Sequence, residues 1–339
     1  MDETTSGRAA SEAYGIIERV RSAMAGRLVG KREIVDAILT AVMSDGHVLL
    51  EGVPGLAKTL AVRTFAEAAG LSYRRIQFTP DLLPGDITGT LFYDAASGAF
   101  VPRRGPVFAN IVLADEINRA PAKVQSALLE AMEERQVTMG DHSLPLPEPF
   151  FVLATQNPIE HEGTFRLPEA QLDRFMLKVV VDYPDEAEEL DVVLRYADRS
   201  AGGPPGGEAA APPVIGPAEI AALKAAAASV RFERDAAAYA VAVVRATRPS
   251  RDGKQASAAL RELSRYIEYG ASPRGSIALY RAARAAALLA GRDHVLPDDV
   301  KRSAPAALRH RVIPSYEAEA DRVGSDAIVK GVLSAVPVP

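Results

Sequence analysis

Eight residues, Gly52-Val53-Pro54-Gly55-Leu56-Ala57-Lys58-Thr59, join an apolar run, HVLLE at residues 47–51, to a helical pattern, LAVRTFAEAAG. A glycine-rich turn between strand and helix suits a phosphate, because backbone N–H groups and the positive helix end both face the anion. In that frame Lys58 reaches the β- and γ-phosphates of a nucleotide and Thr59 ligates Mg²⁺. Gly52, Pro54, Gly55, Leu56, Ala57 and Leu60 complete the candidate nucleotide contacts. Ala57 stands where glycine usually precedes the lysine, so the backbone there must tolerate a Cβ close to the ligand. An incidental glycine-rich turn has no need of Lys-Thr at the helix start.

Fifty-seven residues after Lys58 the run IVLADE ends in adjacent carboxylates, Asp115 and Glu116. Successive side chains at a strand end point in different directions, so one can face a metal and the other the water that attacks the γ-phosphate. Asp115 is the candidate Mg²⁺ ligand, through water, and Glu116 the candidate base. Alone, the pair reads equally well as two solvated carboxylates; the phosphate loop upstream turns it into half of a nucleotide site.

These residues need a frame that holds them at neighbouring strand ends. HVLLE, NIVLA (110–114), FFVLA (150–154) and MLKVVV (176–181) are short, largely apolar runs separated by enough chain for crossover helices, the pattern of buried parallel strands. Residues 90–101 and 136–147 read as inserted hairpins, the second turning at Gly140-Asp141. Residues 201–217, ten of them Gly or Pro, exclude a regular element and mark a linker. Beyond it the chain reads as helix throughout, rich in alanine. The expected fold is therefore α/β, a mostly parallel sheet with helices, then a small helical domain. The boundaries expected are a helical segment at 1–27, the α/β core at 28–197, the linker at 198–217 and the helical domain at 218–339.

The 339 residues are 48% apolar and 24% charged, which excludes a disordered or collagen-like chain, and the absence of cysteine excludes thiolate metal sites and cysteine nucleophiles. His161-Glu162 begins a zinc-protease pattern, but Phe165 stands where the second histidine belongs. No run approaches a membrane span and the N-terminus lacks a signal pattern, so a soluble, cytoplasmic protein is expected. Residues 218–339 hold 19 Lys and Arg against 13 Asp and Glu, whereas residues 1–217 carry a net charge of −11. That asymmetry reads either as an electrostatic docking surface or as solvated helix faces.

The stretches GHVLLEGVPGLAKT, IQFTPDLLPGDITG, GPVFANIVLADEINRA, LLEAMEERQVT, FVLATQNPIE and LPEAQLDRF, in this order and spacing, resemble the MoxR family of AAA+ ATPases across residues 28–184, and the helical remainder more loosely. The resemblance implies ATP and Mg²⁺ as cofactors, a homo-oligomeric ring, hexameric by family expectation, with nucleotide between subunits, and a helical lid. It makes Asn157 the sensor that orients the attacking water, although an Asn before Pro158 also suits a plain turn. It makes Arg174 the arginine finger, reaching the γ-phosphate of the adjacent subunit. It makes Arg274 the second sensor, leaving open whether it serves its own subunit or a neighbour, and Arg119 a further candidate across the interface. It places Val29 and Gly30 near the adenine, with Lys31 where many relatives have Gln.

What the resemblance implies for function is chaperone-like remodelling or maturation of a client protein, often with a partner bearing a von Willebrand factor A domain. Two alternatives use the same motor: a subunit of a metal-chelatase complex, and a nucleic-acid remodeller or transcriptional activator. The basic C-terminal part favours the last. Against it stand 6% aromatics and no helix-turn-helix signature. A GTPase is disfavoured because no Asn-Lys-x-Asp motif occurs.

Overall fold

The computed structural model describes residues 3–28, 30–53, 56, 58–158, 164–202, 212–249 and 257–339. Helices α1 (Glu3–Ala25) and α2 (Arg32–Met43) precede β1 (Val48–Glu51), and α3 (Lys58–Ala68) leads to β2 (Tyr73–Gln77). A short α4 (Pro84–Thr88) and the hairpin β3 (Gly89–Asp94) and β4 (Ala99–Arg104) come before β5 (Ile111–Asp115). After a 3-10 turn at Ile117–Arg119 come α5 (Ala122–Glu134) and a second hairpin, β6 (Gln136–Met139) and β7 (His142–Pro145). The core then closes with β8 (Phe151–Gln156), α6 (Glu169–Leu172), β9 (Leu177–Val180) and α7 (Glu186–Gly202).

The lid contains α8 (Pro217–Ser229), α9 (Arg234–Ala246), α10 (Ala258–Ser264), β10 (Ile267–Tyr269), α11 (Pro273–Leu289), α12 (Pro297–Leu308), β11 (Ile313–Pro314), α13 (Tyr316–Ala320) and α14 (Ser325–Ala335). Its sequence reads as helix throughout, but IEY at 267–269 is a strand, paired antiparallel with Ile313 and Pro314. Two or three residues are too few to show a period-2 pattern.

The five-stranded sheet is parallel throughout, in the order β2-β5-β8-β1-β9. The chain leaves β1 for the edge strand β2, returns through β5 and β8, and reaches β9 on the far side of β1. That reversal opens a crevice at the carboxyl end of β1. Strands β1, β5 and β8 each feed two cores because successive side chains face opposite ways. Val48 and Leu50, with Ile111, Leu113, Phe151 and Leu153, join the core built with α1, α2, α3 and the lid. Leu49, Val112, Ala114, Val152 and Ala154 join a second core under α5, where the hairpin residues Val137 and Met139 pack.

The lid has no separate core, since Leu279, Val300 and Leu308 belong to the first cluster. Edge strand β2, YRRIQ, is absent from the strand runs read from sequence because only Ile76 is buried and two arginines interrupt the apolar pattern. At the linker, α7 extends to Gly202 and α8 starts at Pro217. The backbone N–H groups of Val214 and Ile215 donate to Ala68 O on α3, at 2.8 and 3.1 Å. The rest of the linker, 203–211, lies outside the described residues.

Candidate functional site: two ends of helix α5

Gly52 follows β1 directly, and its N–H donates to Gln156 O on β8 at 3.3 Å. A Cβ there would lie 2.6 Å from Val181 O, so packing beside β9 already demands a glycine, before any ligand is considered. Lys58 opens α3 and its ammonium donates to Gly52 O, across the mouth of the loop. Burial pulls the Lys58 pKa below the usual lysine range, while Asp115, Glu116 and Glu51 pull the other way. Thr59 and Leu60 lie in the first turn of α3, and Leu56 is buried. Pro54, Gly55, Ala57 and Val29 lie outside the described residues. Gly30 adopts φ 65°, where a Cβ would overlap the Glu188 carboxylate, and Lys31 Nζ donates to Asp182 O at 3.2 Å.

At the neighbouring strand ends the two acidic residues meet one hydroxyl, Asp115 through its carboxylate and Glu116 through its backbone N–H. Thr155 Oγ1 donates to Asp115 Oδ1 at 2.6 Å and accepts from Glu116 N at 2.8 Å. Arg75 Nη2 reaches Asp115 Oδ2 at 2.6 Å and also donates to Gln77 Oε1, while Gln77 Nε2 donates to Glu116 Oε2 at 2.7 Å. Arg119 Nε stands 3.2 Å from the same Glu116 oxygen. Glu116 itself is left-handed, at φ 56° and ψ 49°. A non-glycine residue held there is strained by about 1 kcal/mol or more. Asn157, 5% exposed, follows Thr155 by two residues at the carboxyl end of β8, between β5 and β1.

Arg75, Gln77 and Thr155 are functional neighbours absent from the sequence reading. Arg75 and Gln77 sit two apart on one strand face, a signal visible only once β2 is known to border β5. Thr155 lies inside the quoted Ala-Thr-Gln-Asn-Pro stretch, where nothing in the residue type distinguishes it.

Arg174 and Arg274 are elsewhere. Arg174 Nε and Arg274 Nη2 stand 3.1 and 2.5 Å from the two oxygens of one carboxylate, Glu133, in the last turn of α5. Ala122 to Glu133 spans about 16 Å of helix at 1.5 Å per residue, so this end of α5 is remote from the Asp115-Glu116 turn before its start. The structure thus separates the candidate residues into two groups, Lys58, Thr59, Asp115, Glu116 and Asn157 on one hand, Arg174 and Arg274 on the other.

The turn that carries Arg174 is gripped by the lid. Arg311, with a side chain 3% exposed, donates from Nε to Asp173 Oδ1 at 2.6 Å, and Ser272 Oγ donates to Asp173 Oδ2 at 2.9 Å. Burial lowers the Arg311 pKa and the Asp173 carboxylate opposes that shift. His310, fully buried, meets Phe175 O at 2.9 Å, and desolvation holds it neutral, far below the usual histidine range.

Known proteins resemble this chain in sequence and fold. The profile of the ATPase family associated with various cellular activities (AAA) matches residues 47–177, and that of the AAA lid domain matches 261–332. The Mycobacterium tuberculosis protein named Chaperone MoxR1 is 46% identical over 312 residues, covering 92% of this chain and 79% of that one. The Methylorubrum extorquens protein named MoxR is 31% identical, covering 95% and 94%. The chain belongs to the MoxR family of AAA+ ATPases. A crystal structure of a putative ATPase from Cytophaga hutchinsonii superposes with a TM-score of 0.88 at 41% identity, over 99% of this chain and 98% of that chain. For a MoxR-family ATPase a parallel sheet with helices and a helical lid are the expected parts, and both are present. Among the described residues no helix is long and apolar enough to cross a membrane.

The donor set at the first site fits Mg²⁺: a helix-start hydroxyl, Thr59, and a carboxylate, Asp115, are hard oxygen donors, and Asp115 Oδ2 already faces a cation in Arg75. Gln156 Oε1 and Asn118 Oδ1, buried without a hydrogen-bond donor, are two further acceptors that solvent or a ligand can satisfy.

Proposed function

We propose that this ATPase hydrolyses ATP at the contacts between subunits of a homo-oligomeric ring, hexameric by family expectation, and uses the motion for chaperone-like remodelling of a client protein. The observation that carries this reading is the separation of the candidate residues to opposite ends of α5. A single chain offers Lys58, Asp115 and Glu116 at one end and Arg174 with Arg274 at the other, which supports a reading in which the arginines complete a site on a neighbour. Lys58 and the loop bind the phosphates, Glu116 takes the proton of the attacking water and Asn157 orients that water. Thr59 and Asp115 hold Mg²⁺, which when bound neutralises phosphate charge. Arg174 and Arg274 neutralise charge developing on the γ-phosphate in trans, with Arg119 beside Glu116 on the receiving side.

Chaperone activity is the name carried by the Mycobacterium relative, and the hairpins supply a surface for it here. Leu91, Phe92, Tyr93, Phe100 and Val101 on β3 and β4 are exposed, and Tyr93 packs edge-on against Phe100. Apolar side chains displayed on a hairpin suit contact with a client polypeptide. The deciding experiment is ATP turnover per subunit against protein concentration, with mass by light scattering, with and without ATP and Mg²⁺. Specific activity is expected to rise as the assembly forms. A monomer hydrolysing at a concentration-independent rate would remove the trans role from Arg174 and Arg274.

A further inference from the structure

Arg174 belongs to the α/β core and Arg274 to the lid, yet both end on Glu133. What ties their backbones together is a buried charge. All five N–H donors of Arg311 are used: Nε on Asp173 Oδ1, Nη1 on Met176 O and Ala307 O, Nη2 on Asp173 O and Phe175 O. Three of those carbonyls flank Arg174 in the chain. The other oxygen of Asp173 accepts from Ser272 Oγ, and Ser272 Oγ in turn accepts from Arg274 N at 3.1 Å, capping α11. One carboxylate is therefore a single residue from the Arg174 backbone and a single hydrogen bond from the cap that starts the Arg274 helix.

We propose that Asp173 and Arg311 are positioning residues that present Arg174 and Arg274 to the adjacent subunit as one fixed pair. The proposal rests on the trans reading above and specifies how two bodies supply one cationic pincer. A buried ion pair is poor evidence for stability, because desolvation offsets most of its attraction; what it fixes is geometry, since any shift of the turn orphans several donors at once. A γ-phosphate accepts from two guanidinia only if both arrive at hydrogen-bond distance together, and displacement by about 1 Å is enough to cost on the order of 100-fold in rate.

Arg311→Ala would strand Asp173 and three carbonyls and is expected to compromise folding, so Asp173→Asn and Ser272→Ala are the test variants. Expected are parent-like assembly mass and KM for ATP, with kcat lowered by roughly 10- to 100-fold in Asp173→Asn and less in Ser272→Ala. The readout that a general structural defect would not move is mixing. Glu116→Gln subunits keep intact arginines, so adding them to Asp173→Asn subunits is expected to raise turnover above the sum of the two proteins measured apart. Arg174→Ala mixed with Glu116→Gln is the control. If that control shows no recovery, the trans reading falls. If the control recovers while Asp173→Asn either keeps the parent kcat or gains nothing from mixing, the positioning role is overturned and the trans reading stands. Should Asp173→Asn fail to assemble, Ser272→Ala decides by the same criteria.

Discussion

The two ends of α5 hold different groups of the candidate residues. Before its first turn, Asp115 and Glu116 are aimed by Thr155, Gln77 and a strained left-handed backbone, within the field of Lys58. After its last turn, two guanidinia share one carboxylate, Glu133. The first group is drawn from strand ends of a single sheet and the start of α3. The second group is assembled from core and lid and has no phosphate-binding loop of its own. On the proposed reading, residues that bind are built on the sheet, whereas residues that respond to a neighbour are built where core and lid meet.

The largest expected effect tests the first group alone. Lys58→Ala is expected to abolish ATP binding, and Glu116→Gln to retain binding with turnover lowered by about 10²- to 10⁴-fold, both read by equilibrium nucleotide binding and steady-state hydrolysis. Glu116→Gln hydrolysing at the parent rate would strip Glu116 of its role. Next comes the second group: Arg174→Ala is expected to bind ATP normally and lose on the order of 10³-fold in assembly-stimulated turnover, the lower end for an arginine finger. Equal activity of variant and parent at high protein concentration would remove the finger role from Arg174.

Acid should test the surroundings of the second group by stability. His47 is fully buried, donates from Nε2 to Met132 O beside Glu133, accepts at Nδ1 from Val152 N, and burial lowers its pKa to about 3. His310 meets Phe175 O beside Arg174 and is likewise held neutral. The unfolded chain takes up protons at both as pH falls below about 6.5, and the folded chain does not. Folding stability attributable to each histidine is thus intact above that pH and declines below it, for His47 by about 1.4 kcal/mol per pH unit, roughly 2 kcal/mol by pH 5. Denaturant unfolding at pH 7 and pH 5 should show the loss, and His47→Gln should reduce it. Unchanged stability across that range would mean that the histidines charge without cost.

How much of this was legible in sequence follows the same division. The phosphate loop, the Asp115-Glu116 strand end, four of the five sheet strands and both hairpins are contiguous in the chain, and contiguous patterns can be read. β2 escaped because an edge strand with one buried side chain lacks the apolar signature. The grip on Arg174 escaped because its parts are more than 130 residues apart: Arg311 and Asp173 are ordinary residues until the fold brings them to 2.6 Å. The sequence reading left open whether Arg274 acts within its own subunit, and its contact with Glu133 is what groups it with Arg174.

The smallest predicted effect sharpens the first group. Arg75 holds Asp115 Oδ2 through two N–H groups, at 3.0 and 2.6 Å, with a side chain 49% exposed. Exposed ion pairs of this kind contribute about 0.2–1 kcal/mol, so Arg75→Gln should leave thermal stability nearly unchanged. The same energy is what a metal must overcome to claim that oxygen from the guanidinium. Released from it, the Mg²⁺ concentration giving half-maximal ATP hydrolysis should fall by up to about fivefold, the equivalent of 1 kcal/mol. A rise instead would mean that Arg75 aims the carboxylate and that its loss lets Asp115 turn away. No change at all would mean that Asp115 meets the ion through Oδ1, beside Thr155, and that Arg75 and Mg²⁺ occupy the two oxygens together.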